Sequence, residues 1–176
     1  MISQKAKYAF KALVVLARHE KGASLQTDAI AAEGSIPRKF LEQILLQLKA
    51  NGLVESRRGR NGGYFLVAEP GAITVSQVLR IVDGPIAPLA CISRTAYARC
   101  KDCKDETLCG VRRLFAETYA ATLQKLEKTT LASALTDEPP AGGGSGGHGL
   151  APERGNAIDM LSERALQESV STVRPS

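Results

Sequence analysis

The sequence predicts a mainly helical fold that carries one small β-hairpin. Three observations predict it. Apolar residues recur at three- and four-residue spacing over residues 3–20, through SIPRKFLEQILLQLKANGLV, over 75–83 and again after Cys109. One arginine- and glycine-rich stretch, RRGRNGG, lies between two short runs of strand-forming residues. All four cysteines of the 176-residue chain fall within the nineteen residues from Cys91 to Cys109, between the last two helical stretches.

Each element follows from its residues. In residues 3–20, Ala6, Ala9, Phe10, Leu13, Val14, Leu16 and Ala17 give an amphipathic helix. Residues 26–33 form a second, short helix that Gly34 is expected to close. A third helix follows with Pro37 in its first turn, where the missing N–H costs nothing. Phe40, Leu41, Ile44, Leu45 and Leu48 form its expected buried stripe, and Gly52 is placed to end it in a left-handed cap. Two helices joined by a tight turn, the second with basic residues at its start, give a helix-turn-helix.

Leu53–Ser56 and Tyr64–Val67 are the expected strands of the hairpin. Asn61-Gly62 favours a tight reversal, because both residue types tolerate positive φ. A basic hairpin directly after such a helix reads as a wing, whose arginines are drawn to the negative potential of a DNA minor groove. Thr74 and Gln77 have capping-box spacing and open a helix over roughly 75–83 that packs Val75, Val78, Leu79 and Val82. After the cysteines, Leu108, Val111, Phe115, Tyr119, Leu123 and Leu126 repeat for about five turns. That stripe exceeds the needs of one small core. It reads as a dimerisation helix, or else as a helix packed back on the first. The fold class is therefore a winged helix-turn-helix plus a long C-terminal dimerisation helix. The expected domains are 1–84 for DNA binding, 85–109 for a cysteine-rich sensor loop, 110–135 for the dimer helix and 136–176 for a disordered Gly/Ser-rich and acidic tail.

Charge agrees with this division. Residues 1–84 hold twelve Lys and Arg against seven Asp and Glu, whereas residues 136–176 hold three against six. A basic excess at the reader is what phosphate neutralisation needs. Aromatics make up only 5% and tryptophan is absent, which argues against a large aromatic ligand pocket and a small-molecule substrate. The opening MISQKAKYAFKALVVLARHE is apolar on one side only, so neither a signal segment nor a membrane span is expected, and a cytoplasmic location follows. His19 and His148 are the only histidines, and no nucleophile elbow, P-loop or dinucleotide fingerprint is present. An enzyme is not expected.

With these residues in place, the chain resembles the IscR-type (Rrf-two) family of bacterial winged-helix regulators. The resemblance rests on KAKYAFKAL, IPRKFLEQIL, NGLVESRRGRNGGY and TVSQVLRIVDG, and covers about three quarters of the chain. It implies a homodimer that binds an imperfect palindrome in double-stranded DNA, usually as a repressor. It also implies that Arg38, Lys39 and Glu42 face bases or phosphates, with Glu42 able to accept from a cytosine amino group. Arg58 matches the family's minor-groove arginine, Arg57 and Arg60 are backbone contacts, and Tyr64 props the wing. Pro37 and Lys39 stand where some relatives carry serines, so base preferences do not transfer.

The cysteines run C-x8-C-x2-C-x5-C. Cluster-bearing members of the family usually use three, with a fourth ligand from elsewhere. The Cys103 to Cys109 step matches that pattern and the Cys91 to Cys100 gap does not. Residues 1–9 contain no Asp or Glu, so the amino-terminal carboxylate ligand of some relatives is missing. Cys91, Cys100, Cys103 and Cys109 could together ligate a 2Fe-2S or 4Fe-4S cluster. They also suit zinc, or a metal-free switch pairing Cys100 with Cys103. Arg94, Arg99, Lys101 and Lys104 are expected to lower the thiol pKa values and to offset a negative cluster.

Overall fold

A computed structural model describes residues 2–59 and 62–136. Helix α1 spans Gln4–Arg18 and is capped by Ser3, whose Oγ accepts from the Ala6 N–H at 2.9 Å. Its buried face is Ala6, Ala9, Ala12, Leu13, Val15 and Leu16. Phe10, Val14 and Ala17, expected on that face, are only partly buried against the core. The small side chains at 6, 9 and 12 leave room for neighbouring helices to lie close.

Helices α2 (Thr27–Gly34) and α3 (Arg38–Ala50) form the helix-turn-helix. The expected closure of α2 by Gly34 is corrected. Gly34 is the last helical residue, and Ser35 takes the left-handed conformation, with φ 48° and ψ 55°. Gly34 is small for a packing reason, since a Cβ there would lie 2.8 Å from the Ile36 Cδ1. Pro37 is the N-cap of α3 and so lies just before the helix. The buried stripe is Leu41, Ile44, Leu45 and Leu48. Phe40 is 53% exposed and leaves the expected stripe. It lies at the edge of the arc those four define, where its ring meets Tyr8 at 6.1 Å between centroids. Gly52 closes α3 as expected, with φ +72° and the Leu53 N–H bonded to the Leu48 carbonyl at 3.0 Å.

The hairpin pairs β1 (Val54–Arg57) with β2 (Gly63–Leu66) antiparallel, in the register Val54 to Leu66 and Arg57 to Gly63. Its positive φ values fall at Gly59 (108°) and Gly63 (151°), not at Gly62. Asn61 lies outside the described residues. A third segment joins the wing. Leu25 and Tyr64 exchange both backbone hydrogen bonds, at 2.9 and 2.8 Å, tying the hairpin to the α1–α2 connection. Gly63 is required there because a Cβ would stand 2.1 Å from the Leu25 carbonyl oxygen.

Helix α4 (Val75–Val82) starts at Thr74, whose Oγ1 accepts from the Gln77 N–H at 3.2 Å. Val78, Leu79 and Val82 are buried, and Val75 is half-buried. Asp83 ends the helix and accepts hydrogen bonds from the backbone and hydroxyl of Ser3, which joins the end of α4 to the start of α1. Helix α5 covers Gly110–Lys128. It stops short of the expected residue 135 because Thr129–Leu131 runs beside Ile73–Val75. There Val75 donates to the Thr129 carbonyl at 2.9 Å and Leu131 to the Ile73 carbonyl at 2.8 Å.

The apolar stripe of α5 divides in two. Leu123 and Tyr119 are buried and Leu126 packs on the core, with α5 lying chiefly against α4. Val111, Leu114 and Phe115 are exposed, Leu114 by 74%. One core therefore gathers α1 to α4 with Leu53, Val54, Ile73 and Leu131, and the first half of α5 extends beyond it. No described helix is long and apolar enough to cross a membrane.

Candidate nucleic-acid interface and cysteine pocket

The side of α3 opposite its buried stripe is an uninterrupted exposed face. Arg38, Lys39, Glu42, Gln43, Leu46 and Lys49 are all exposed and recur at helical spacing. The three expected DNA residues of this helix, Arg38, Lys39 and Glu42, are thus brought to one face. Arg38 is held from both sides. Its Nη1 lies 2.7 Å from the Asp28 carboxylate on α2, and its Nε lies 3.0 Å from Glu42. The hydrogen bond to Glu42, followed by the charge of Asp28, holds the guanidinium pKa above its ordinary value. Sequence reasoning missed Asp28, which shows no spacing signal of its own. It also missed Leu46, which is 61% exposed on the same face.

Arg57 and Arg58 are both exposed at the wing. Arg57 is engaged within the protein. It donates to the Gly22 carbonyl at 3.2 Å, and its guanidinium stacks 4.6 Å from the Phe65 ring centre. Arg60 lies outside the described residues, as does the tail from residue 137.

Further along the chain, Cys91, Cys100, Cys103 and Cys109 all line one open cavity of about 450 Å³. Cys91 sits in a short 3-10 turn, Ala90–Ile92, and is 5% exposed. Cys100 is exposed, and Cys103 and Cys109 are half-buried. The chain folds back here because the Ala98 N–H bonds to the Ala90 carbonyl at 3.2 Å. That return brings Cys100 near Cys91. Both Cys91 and Cys103 are charge neighbours of Cys100. Cys103 donates its N–H to the Cys100 carbonyl at 3.3 Å and turns the C-x2-C segment.

The expected effect of the surrounding cations is corrected at Cys100. Desolvation first, and then the adjacent Cys91, pushes its thiol pKa up. Two of the four cations named as neighbours are engaged by other groups. Arg99 donates to the carbonyls of Cys103 and Lys104 at 3.0 and 2.9 Å, and Arg94 lies 3.9 Å from Glu127.

Cys109 is also the N-cap of α5, its Sγ accepting from the Arg112 N–H at 3.4 Å. The Arg112 guanidinium donates to the Cys91 carbonyl and lies 2.9 Å from Glu106. Tyr97 donates its hydroxyl to the same Glu106 at 2.6 Å. Among the described residues, no three His, Cys, Asp or Glu side chains stand close enough to hold a single ion as they are. The four thiols share that cavity with Asp102, Lys104, Asp105, Glu106 and Arg112, and as four soft donors on one short, turn-rich segment they are the residues that would hold a thiolate-ligated group.

A family model described as an iron-dependent transcriptional regulator, Rrf2, matches residues 2–137. A provisionally named rrf2-like HTH-type transcriptional regulator of Rhodobacter capsulatus is 45% identical over 144 residues, covering 80% of this chain and 96% of its own. The HTH-type regulator CymR of Bacillus subtilis is 33% identical over 61% of this chain and 82% of its own. The solved structure of that CymR, titled the global cysteine regulator, superposes with a TM-score of 0.63 at 30% identity, over 78% of this chain and 98% of that one. T. potens IscR superposes with a TM-score of 0.60 at 25% identity, over 77% of this chain and 85% of that one. The relatives are transcriptional regulators rather than enzymes, and the winged helix and long C-terminal helix are shared architecture. The chain belongs to the Rrf2 family of DNA-binding transcriptional regulators.

Proposed function

We propose that this regulator is a cytoplasmic homodimeric repressor. It binds an imperfect palindrome and senses iron, redox or sulfur status through an iron–sulfur cluster, 2Fe-2S or 4Fe-4S, on Cys91, Cys100, Cys103 and Cys109. The observation that carries the cofactor reading is the convergence of all four thiols on one cavity. The family description, iron-dependent, agrees with it. When bound, such a cluster supplies a centre that iron supply, oxidants or nitric oxide can alter. No small-molecule substrate enters this reading.

The DNA reading assigns Arg38, Lys39 and Glu42 to the major groove and Arg58 to the minor groove. Arg57 and Arg60 add charge along the backbone. The dimer reading draws support from α5, where Val111, Leu114 and Phe115 form an apolar face that its own subunit leaves exposed. A second copy of the same helix would cover it.

A continuous set of contacts can couple the two ends. Cys109 caps α5, and the end of α5 is bonded to Ile73–Val75 at the start of α4. Gln47 of the recognition helix donates to the Ile81 carbonyl of α4. A change in the cysteine segment thus has a path of hydrogen bonds to the reading helix.

Anaerobic purification tests the proposal, with a visible spectrum and iron, sulfide and zinc assays on one sample. Brown absorbance with iron and sulfide in equal amounts supports it. A colourless zinc protein would make the segment structural. A metal-free protein that also resists reconstitution would favour a thiol switch. The nearness of Cys91 and Cys103 to Cys100 supports that second reading, with Cys100 and Cys103 the pair that spacing suggests.

A further inference from the structure

The cysteine segment is closed by a side chain that is not one of its thiols. The geometry points to Arg112 as a positioning residue of the pocket. It holds the Cys91 and Cys109 ends of the segment together, and it supplies a fixed cation to the thiolate set. This rests on the cofactor reading only for the second of those roles.

Arg112 touches both ends at once. Its backbone N–H bonds to the Cys109 sulfur at 3.4 Å, and its guanidinium bonds to the Cys91 carbonyl. Seventeen residues separate those two cysteines in sequence, so Arg112 closes the loop at its base. The guanidinium is itself held. Glu106 pairs with it at 2.9 Å, and Tyr97 holds Glu106 from the other side at 2.6 Å. Arg112 and Glu106 are 33% and 21% exposed, so this pair is better shielded than the rim pairs of the molecule.

The chemistry fits the place. Four thiolates around iron or zinc carry excess negative charge, which donors and cations close by offset. Arg112 lines the same cavity as the four thiols. A planar guanidinium can bond a carbonyl and a carboxylate together, which a lysine ammonium does with poorer geometry. Arg112 also lies in the first turn of α5, next to Val111 and one turn before Phe115. Whatever loosens the clasp therefore loosens the turn that begins the exposed apolar face.

The test uses the full chain as wild type, Arg112→Ala, Arg112→Lys and Glu106→Gln. Two quantities are read. The first is the alkylation rate of Cys91 by iodoacetamide in metal-free protein, resolved by peptide mass spectrometry at a pH where the thiols are ionised. The second is iron and sulfide content after anaerobic reconstitution, with the decay of the visible band in air.

Arg112→Ala is expected to speed Cys91 alkylation about tenfold, the effect of losing one charge-assisted hydrogen bond, and to shorten the life of the visible band by a similar factor. Arg112→Lys should fall between, because it restores charge without the fork. Glu106→Gln should act in the same direction by a smaller factor, and it keeps the test alive if Arg112→Ala does not fold. Equal Cys91 alkylation in wild type and Arg112→Ala would overturn the clasp. Faster alkylation with an unchanged visible band would overturn the charge-offset role alone. A wild type that takes up no iron or sulfide, while Arg112→Ala still alkylates faster, would sink the cofactor reading and leave the clasp standing.

Discussion

Asp28 and Arg38 lie 2.7 Å apart and join the first helix of the reading pair to the start of the second. Glu42 approaches the same guanidinium at 3.0 Å. On the proposed DNA reading, a phosphate or a base edge would compete with two carboxylates for Arg38. Asp28→Asn removes one competitor and one negative charge from the DNA face. It should tighten binding several-fold on specific and non-specific DNA alike, and steepen the dependence on salt. Thermal stability should barely change, because both partners are exposed. Fluorescence anisotropy at two salt concentrations reads the effect, and weaker binding would show that Asp28 presents Arg38 rather than competing for it.

The two wing arginines should behave differently. Arg58→Ala should weaken operator binding roughly tenfold to a hundredfold and leave metal content and the helical spectrum alone. Full operator affinity in that variant would remove the wing assignment. Arg57→Ala also breaks the contacts to Gly22 and Phe65, so its loss of affinity should come with a measurable drop in wing protection by hydrogen exchange.

The two halves of α5 separate stability from assembly. Leu123 is 1% exposed, and Leu123→Ala should cost about 2–5 kcal/mol in a denaturant melt. Leu114→Asp changes a residue that the subunit does not bury. Its far-UV spectrum should stay native while sedimentation reports a monomer. A dimer that survived Leu114→Asp would move the interface elsewhere.

Gly63→Ala tests the seam between the wing and the α1–α2 connection. The added Cβ meets the Leu25 carbonyl oxygen at 2.1 Å, and the backbone there is already at φ 151°. The substitution should destabilise the protein by on the order of 2–3 kcal/mol and release the wing, lowering DNA affinity while the cysteines react as before. Gly22→Ala is the contrasting variant. It too has positive φ, at 79°, but nothing lies within 4 Å of its Cβ. It should show the smaller loss, of conformational origin alone.

Local patterns alone determined much of this protein. The 3.6-residue period of Leu41, Ile44, Leu45 and Leu48, the cap at Thr74, the left-handed stop at Gly52 and the strand runs on either side of RRGRNGG are all short-range. Each depends on residues within a turn or two, so the helix-turn-helix and its wing were legible in order. The clustering of four thiols was legible for the same reason.

Tertiary structure decided what those elements do to one another. Phe40 belongs to an apolar run, yet it ends up outside because α3 meets its neighbours over a narrower arc. The stripe of α5 looks continuous, yet only its second half finds α4 and the core. Ser35 rather than Gly34 takes the left-handed turn, while Gly34 remains helical at a place where a Cβ would press on Ile36. The Ala98 N–H reaches the Ala90 carbonyl across a fold in the chain, and Arg112 joins ends that are far apart in sequence. Asp28 reaches Arg38 across the turn of the reading pair. Spacing along a chain encodes which face a residue occupies. It does not encode which distant face, carbonyl or carboxylate comes to meet it, and those meetings set the charge on the exposed face of α3 and the closure of the cysteine pocket.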